Sequence, residues 1–218
     1  MTLTGPVFGP AKPPAQQLVV LLHGVGADGD DLIGLAQPLA EVLPNAVFCS
    51  PNAPERYDMA PVGYQWFSLA NRSPDALAAG VKRAAPLLTE YLDAELAKFG
   101  LEDKSLGLIG FSQGTMVALF TALRRPKPCA AVVGFSGALL GVETLATEIR
   151  SRPPVLLVHG DQDPVVPVQA LGHAAAALSF HGVTVEDHVR PGLGHGIDGP
   201  GLALAARFLM RGFGIGAP

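Results

Sequence analysis

The sequence predicts an α/β fold: a doubly wound, mostly parallel sheet of about six or seven strands with helices on both faces. Three observations predict it. Short, continuous apolar runs recur along the chain, as in strands buried on both sides. Helical patterns with recognisable caps separate them. The runs that matter for function end in glycine-containing turns, and in such sheets ligands bind outside the carboxyl ends of the strands.

Taken in order, Leu18-Val19-Val20-Leu21-Leu22 is the first buried-strand signal, and it ends in the glycine-rich turn His23-Gly24-Val25-Gly26. Asp30 or Asp31 can cap a helix through about Leu43, because Leu32, Leu35, Leu39 and Leu43 fall at helical spacing. Ala46-Val47-Phe48-Cys49 is the next strand. Ser50 to Trp66 carries three prolines and is too long for a plain connection, so it reads as an ordered functional loop bearing Tyr64, Trp66 and Phe67, aromatics that either line a pocket or pin the loop down. Ser73-Pro74-Asp75 combines a hydroxyl cap, proline at the first helical position and an acid in the first turn, and opens a helix to about Lys98 that Gly100 stops.

Leu106-Gly107-Leu108-Ile109 is a strand, and the apolar stretch from Met116 to Leu123 is a central buried helix. Cys129 to Phe135 supplies another strand after the break at Arg124-Arg125-Pro126. Residues 136–154 leave room for one helix and not for an inserted multi-helix cap, so the site is expected to be open. Val155-Leu156-Leu157-Val158-His159 is a strand and Gly160 to Pro167 a turn. An alanine-rich helix then runs to Phe180, Thr184 to Val189 alternates as a strand, and Leu202 to Leu209 closes the chain as a helix.

Composition narrows the function. The 218 residues, 49% hydrophobic, suit one globular domain spanning 1–218. A net charge of −4 from 16% charged residues, with no basic cluster, points to no nucleic acid and to a small-molecule partner. The first residues lack the apolar core of a signal peptide, and no run approaches the roughly 20 residues of a membrane span, so the expectation is a cytoplasmic protein without membrane insertion. Two cysteines bordering apolar runs, Cys49 and Cys129, are expected to be free and to lie at opposite edges of the sheet.

The chemistry centres on Gly110-Phe111-Ser112-Gln113-Gly114, set between a strand and a helix. A serine with glycine at both i−2 and i+2 fits a nucleophile elbow, whose tight turn needs small neighbours. The competing reading is a glycine-rich turn in which the serine merely caps the helix. A serine hydroxyl needs a base, and the base needs a carboxylate. His173, His181 and His188 lie in or beside regular elements and read as solvated. His23 and His159 both end strands and precede glycine, where an imidazole can brace a loop. His195 lies in Gly192-Leu193-Gly194-His195-Gly196 after the last strand and is the better candidate for the base. The acid is Asp163 or Asp161, both in the turn after the preceding strand, which gives the order Ser, Asp, His. Their spacing matches no metal-ligand pattern, so no metal is expected.

With these motifs in hand, the chain resembles the phospholipase/carboxylesterase family of α/β-hydrolases, which includes acyl-protein thioesterases and small bacterial carboxylesterases. Leu22-His23-Gly24-Val25-Gly26, Gly110 to Gly114, His159 to Pro167 and Gly194-His195 carry the resemblance over nearly the whole chain. It implies an α/β-hydrolase fold without a large cap and a Ser112, Asp163, His195 triad. It also implies an oxyanion hole from the backbone N–H groups of Val25 and Gln113, and no cofactor. Pro164 agrees with Asp163 as the acid, since it biases that residue toward extended backbone and offers no competing N–H. Thr115 departs from the family, standing where a further glycine is common, and Ala27 to Asp30 leans toward a bacterial carboxylesterase. Trp66, Leu139, Leu140, Val165 and Val166 are expected to line an acyl pocket, with a plain core role the alternative for each. The expected activity is hydrolysis of small or medium-chain esters through an acyl-enzyme. The alternatives are a lysophospholipase or acyl-protein thioesterase, an acyltransferase or a non-catalytic binding module; homo-oligomerisation is left open.

Overall fold

In the computed structural model, which describes residues 3–216, the strands are β1 (Val7–Phe8), β2 (Gln17–Leu22), β3 (Ala46–Cys49), β4 (Glu55–Arg56), β5 (Tyr64–Gln65), β6 (Leu106–Phe111), β7 (Ala131–Phe135), β8 (Val155–Gly160) and β9 (Val185–Arg190). The helices are α1 (Gly29–Ile33), α2 (Ala36–Ala40), α3 (Pro74–Phe99), α4 (Gln113–Arg124), α5 (Val142–Glu148), α6 (Gln169–Phe180) and α7 (Gly199–Gly212). Seven strands form one sheet in the order β1-β3-β2-β6-β7-β8-β9. β1 alone is antiparallel; the others run parallel.

The sheet is covered on both faces, and β2 shows how. Its alternate residues Leu18, Val20 and Leu22 join the core under α3, α4 and α6, while Val19 and Leu21 join the core under α1, α2 and α7. Burial on both sides is why the strand reads as a continuous apolar run rather than an alternating one. α4 is buried along nearly its whole length, as its apolar pattern requires. β9, at the edge, breaks the expected alternation, since the adjacent Glu186 and Asp187 are both exposed.

The chain reverses direction across the sheet between β3 on one side of β2 and β6 on the other. The carboxyl ends of β2 and β6 flank this switch point, where open α/β sheets hold their ligands.

Several elements differ from the sequence expectation. The helix expected from Asp30 or Asp31 to Leu43 is two short helices, α1 and α2, because Gly34 ends the first, and the cap is Asp28, whose carboxylate accepts the Asp31 N–H at 3.1 Å. The Ser50–Trp66 loop contains the hairpin β4–β5. α7 begins three residues before the expected Leu202: Asp198 caps it and Pro200 sits in its first turn. α3 runs as expected from the Ser73 cap to Gly100, which adopts φ 66°.

Candidate active site

Gly110 and Gly114 make the elbow possible. A Cβ on Gly114 would stand 1.8 Å from the Leu22 carbonyl oxygen, and one on Gly110 would stand 2.4 Å from the Thr115 nitrogen, so strand and helix backbones meet only because both residues are glycine. Between them Ser112 takes φ 53°, ψ −116°, a backbone strain typical of functional positions. Its N–H donates to the Phe135 carbonyl at 2.9 Å, and its side chain makes no capping bond to α4. The helix-cap reading of this serine is therefore excluded.

Thr115, the departure from the family pattern, is accommodated by two further glycines. Its hydroxyl lies 2.8 Å from the Gly110 carbonyl and 2.9 Å from that of Phe135, and its methyl occupies space that a Cβ on Gly134 or Gly137 would need.

The turn after β8 and the loop after β9 are zipped together. Gln162 N–H donates to the Leu193 carbonyl at 3.0 Å, and the Gly192 N–H donates to the Asp161 carboxylate at 2.7 Å. Gly160 permits the approach, since a Cβ there would sit 2.1 Å from the Leu193 oxygen. The result is a carboxylate and an imidazole 32 residues apart in sequence but in contact: Asp163 Oδ2 lies 2.7 Å from His195 Nδ1. Asp161 instead braces the loop that carries His195.

The Asp163 side chain is fully buried. Burial alone would raise its pKa, but the bond from His195 and the N–H groups of Val166 and Val165, at 2.9 and 2.8 Å from Oδ1, outweigh it and hold the carboxyl below its ordinary range. His159 packs behind the same carboxylate: its Nε2 hydrogen-bonds the Val166 carbonyl at 2.9 Å and lies 3.2 Å from Asp163 Oδ2. The loop-bracing reading of His159 is thus the structural one.

His23 is likewise a brace. Its Nε2 accepts the Ala53 N–H at 3.0 Å and its Nδ1 lies 2.7 Å from the Gly24 carbonyl, which fixes one neutral tautomer; burial lowers its pKa in the same sense.

His195 retains 17% side-chain exposure, and its ring centroid lies 4.8 Å from that of Phe111, the residue before Ser112. Phe111 thereby seats the imidazole beside the elbow. Among the described residues, the N–H groups of Val25 and Gln113 donate to no protein acceptor. Val25 follows β2 and Gln113 opens α4, and the pairing of Leu22 with Gly110 brings these two chain ends side by side.

The expected acyl-pocket residues behave differently. Trp66 is 1% exposed, its indole N–H donating to the His23 carbonyl at 3.0 Å, so it pins the loop instead of walling an open pocket. Val165 and Val166 act through their backbone on Asp163, with the Val165 side chain turned largely to solvent. Leu139 and Leu140 are half-buried against the α3–α4 core. The cleft beside Phe111 has a volume of about 200 Å³ and is lined by Asp31, Leu32, Leu35, Phe111 and Ile197. The helical spacing of Leu32 and Leu35 was visible in the sequence, but that α1 and the break after it turn these leucines toward the elbow was not.

Both cysteines are buried and free, one at the end of β3 and the other just before β7, as expected. Burial pushes both thiols up to about 12. Among the described residues no three His, Cys, Asp or Glu side chains group as metal ligands, and no helix is long and apolar enough to cross a membrane.

Known proteins share this architecture and sequence. Residues 5–211 match the family model described as Phospholipase/Carboxylesterase. Esterase YpfH of Escherichia coli (strain K12) is 30% identical over 199 residues, covering 91% of this chain and 84% of that protein. Acyl-protein thioesterase 1 of Schizosaccharomyces pombe is 30% identical over 185 residues, covering 79% and 80%. The crystal structure of esterase PE8 superposes with a TM-score of 0.93 at 42% identity, covering 97% of this chain and 99% of that one. With an elbow, a buried acid–imidazole pair and a sheet of matching topology, the chain belongs to the phospholipase/carboxylesterase family of hydrolases.

Proposed function

We propose that this chain is a serine carboxylesterase that hydrolyses small or medium-chain esters through an acyl-enzyme on Ser112. The observation that carries the proposal is the strained Ser112 elbow beside an imidazole held by a buried carboxylate: φ 53° at Ser112, 4.8 Å between the Phe111 and His195 rings, and 2.7 Å from His195 to Asp163.

His195 Nδ1–H donates to Asp163, which leaves the Nε2 lone pair to take the Ser112 proton as Oγ attacks the carbonyl carbon. That Oγ–Nε2 bond forms as substrate seats, catalytic contacts of unliganded enzymes being commonly long. Asp163, held ionised by three N–H donors, stabilises the imidazolium. The Val25 and Gln113 N–H groups receive the developing oxyanion, and the dipole of α4 adds positive potential at the same point. His195 then protonates the departing alcohol; water enters, loses its proton to His195 and releases the acid. No cofactor takes part in this scheme.

The cleft of about 200 Å³ beside Phe111 supports a small substrate group. A thioester is attacked by the same geometry, and the 30% identity to a protein named acyl-protein thioesterase 1 favours including that class. The experiment is a series of p-nitrophenyl esters from acetate to palmitate, run beside an acyl-thioester and a lysophospholipid, with Ser112→Ala as control. The proposal expects kcat/KM to peak at short chains and to vanish in the control. A peak at palmitate, or activity that survives Ser112→Ala, would refute it.

A further inference from the structure

We propose that Trp66 and the Gln113 side chain are positioning residues that hold the two oxyanion N–H donors, those of Val25 and Gln113, at a fixed separation. The proposal rests on the serine-hydrolase reading above.

The two donors belong to different loops. The strand pairing ends at Leu22 with Gly110, so Val25 lies three residues beyond the last point where the sheet itself sets the spacing. Electrostatic stabilisation of an oxyanion demands donors 2.7–3.1 Å from one oxygen, so the gap between them must be held tightly.

A strap, residues 64–67, spans that gap. On one side it is bonded to the Val25 loop: the Gly26 N–H donates to the Tyr64 carbonyl and the Tyr64 N–H to the Ala27 carbonyl, both at 2.8 Å. The Trp66 indole N–H adds a third bond, to the His23 carbonyl at 3.0 Å, with the two rings 5.9 Å apart. On the other side the strap is bonded to the elbow, through the Gln113 side chain alone among the described side chains. Its Oε1 accepts the Trp66 N–H at 2.8 Å and its Nε2 donates to the Phe67 carbonyl at 2.7 Å.

Trp66 and Gln113 are 1% and 0% exposed, so water cannot substitute for these bonds, and a buried amide left unsatisfied would be costly. The same residue thus supplies one oxyanion donor through its backbone and, through its side chain, grips the strap that fixes the other.

The test uses Trp66→Phe, which keeps a ring but deletes the indole N–H, and Gln113→Met, which keeps the backbone N–H and side-chain length but deletes both strap bonds. Rates with p-nitrophenyl butyrate are normalised to active sites titrated by the initial burst, so unfolded protein does not enter. Each variant is expected to lose about 10- to 100-fold in kcat with KM changed by less than about threefold, because a misplacement near 1 Å costs on the order of 10² in rate. Affinity for a short-chain alkyl trifluoromethyl ketone, whose tetrahedral adduct carries the oxyanion, should fall in the same proportion. The double variant should lose less than the product of the single losses, since both act on one strap.

Unchanged kcat in both variants, or losses confined to KM with ketone affinity intact, would overturn the proposal while leaving the hydrolase reading standing. Failure of a fluorophosphonate to label wild-type Ser112 would remove the hydrolase reading, and this proposal with it.

Discussion

Asp163→Asn tests the acid of the proposed triad in a way the geometry makes quantitative. The carboxylate accepts two backbone N–H groups at Oδ1, while Oδ2 faces His195 Nδ1 at 2.7 Å and His159 Nε2 at 3.2 Å. An asparagine cannot accept at both ends. Turning its NH₂ toward Val165 and Val166 would set it against two backbone donors. Turning it toward His195 sacrifices less, because His159 keeps its bond to the Val166 carbonyl at 2.9 Å. In that orientation His195 must accept at Nδ1 and carry its proton on Nε2, so the lone pair aimed at Ser112 is gone. The expected loss in kcat is about 10⁴, the size found when an asparagine imposes the wrong tautomer in another serine hydrolase, or about 5 kcal/mol of barrier. Asp161→Asn keeps an oxygen to accept the Gly192 N–H, now at 2.7 Å, and should cost about 1 kcal/mol of stability with kcat reduced less than tenfold. Steady-state kcat on p-nitrophenyl butyrate and the thermal midpoint of both variants decide the matter. Near-normal kcat in Asp163→Asn would refute the tautomer argument, and the large loss in Asp161→Asn instead would move the acid there.

Other predictions follow from neighbouring features. Because the folded pKa of Asp163 lies below its ordinary value of 3.8, its contribution to stability is present above that pH and lost as pH falls through the folded pKa. The gap in thermal midpoint between wild type and Asp163→Asn should therefore close in strong acid, and a constant gap would contradict the shift. Gly114→Ala drives a methyl to 1.8 Å from the Leu22 oxygen and should destabilise by about 3 kcal/mol or more in denaturant titrations; an unchanged midpoint would mean strand and helix do not meet there. Cys49 and Cys129, with thiols pushed up to about 12, should resist a thiol reagent in the native protein and give two equivalents in denaturant, whereas rapid native labelling would show them accessible. A strong metal chelator should leave esterase activity unchanged, since Ser112, His195 and Asp163 supply every proton transfer in the proposed scheme; loss restored by a divalent ion would argue for metal-assisted hydrolysis.

The parts of the fold legible in the sequence are those whose burial is nearly complete. β2, β6, β7 and β8 read directly because both faces are covered, and α3 because its cap and its glycine stop are local signals. β1 was invisible: two exposed residues held only by pairing with Phe48 and Cys49 leave no periodic trace. The split between α1 and α2 was hidden because leucines at helical spacing continue across the break at Gly34, and the glycines and proline that open α7 disguised its first turn. At the site, the elbow was readable since its glycines answer a local steric demand. The choice of Asp163 over Asp161 came from the family resemblance and from Pro164, because the contact itself joins loops 32 residues apart. For Trp66, on a long loop, pocket wall and loop pin were both open because sequence carries no record of exposure; its burial against His23 and Gln113 is a tertiary fact. For the same reason Ile197 and the α1 face that flank the cleft went unassigned.

The central claim is that Ser112 is acylated and deacylated in each turnover, and acid-quenched mass spectrometry during the first turnover of a slow p-nitrophenyl ester measures it directly. The account predicts one acyl group per chain, located on the peptide containing Ser112, formed at the rate of the p-nitrophenol burst and absent from Ser112→Ala. Turnover with no acylated species and no burst, or an acyl group on any other residue, would contradict it.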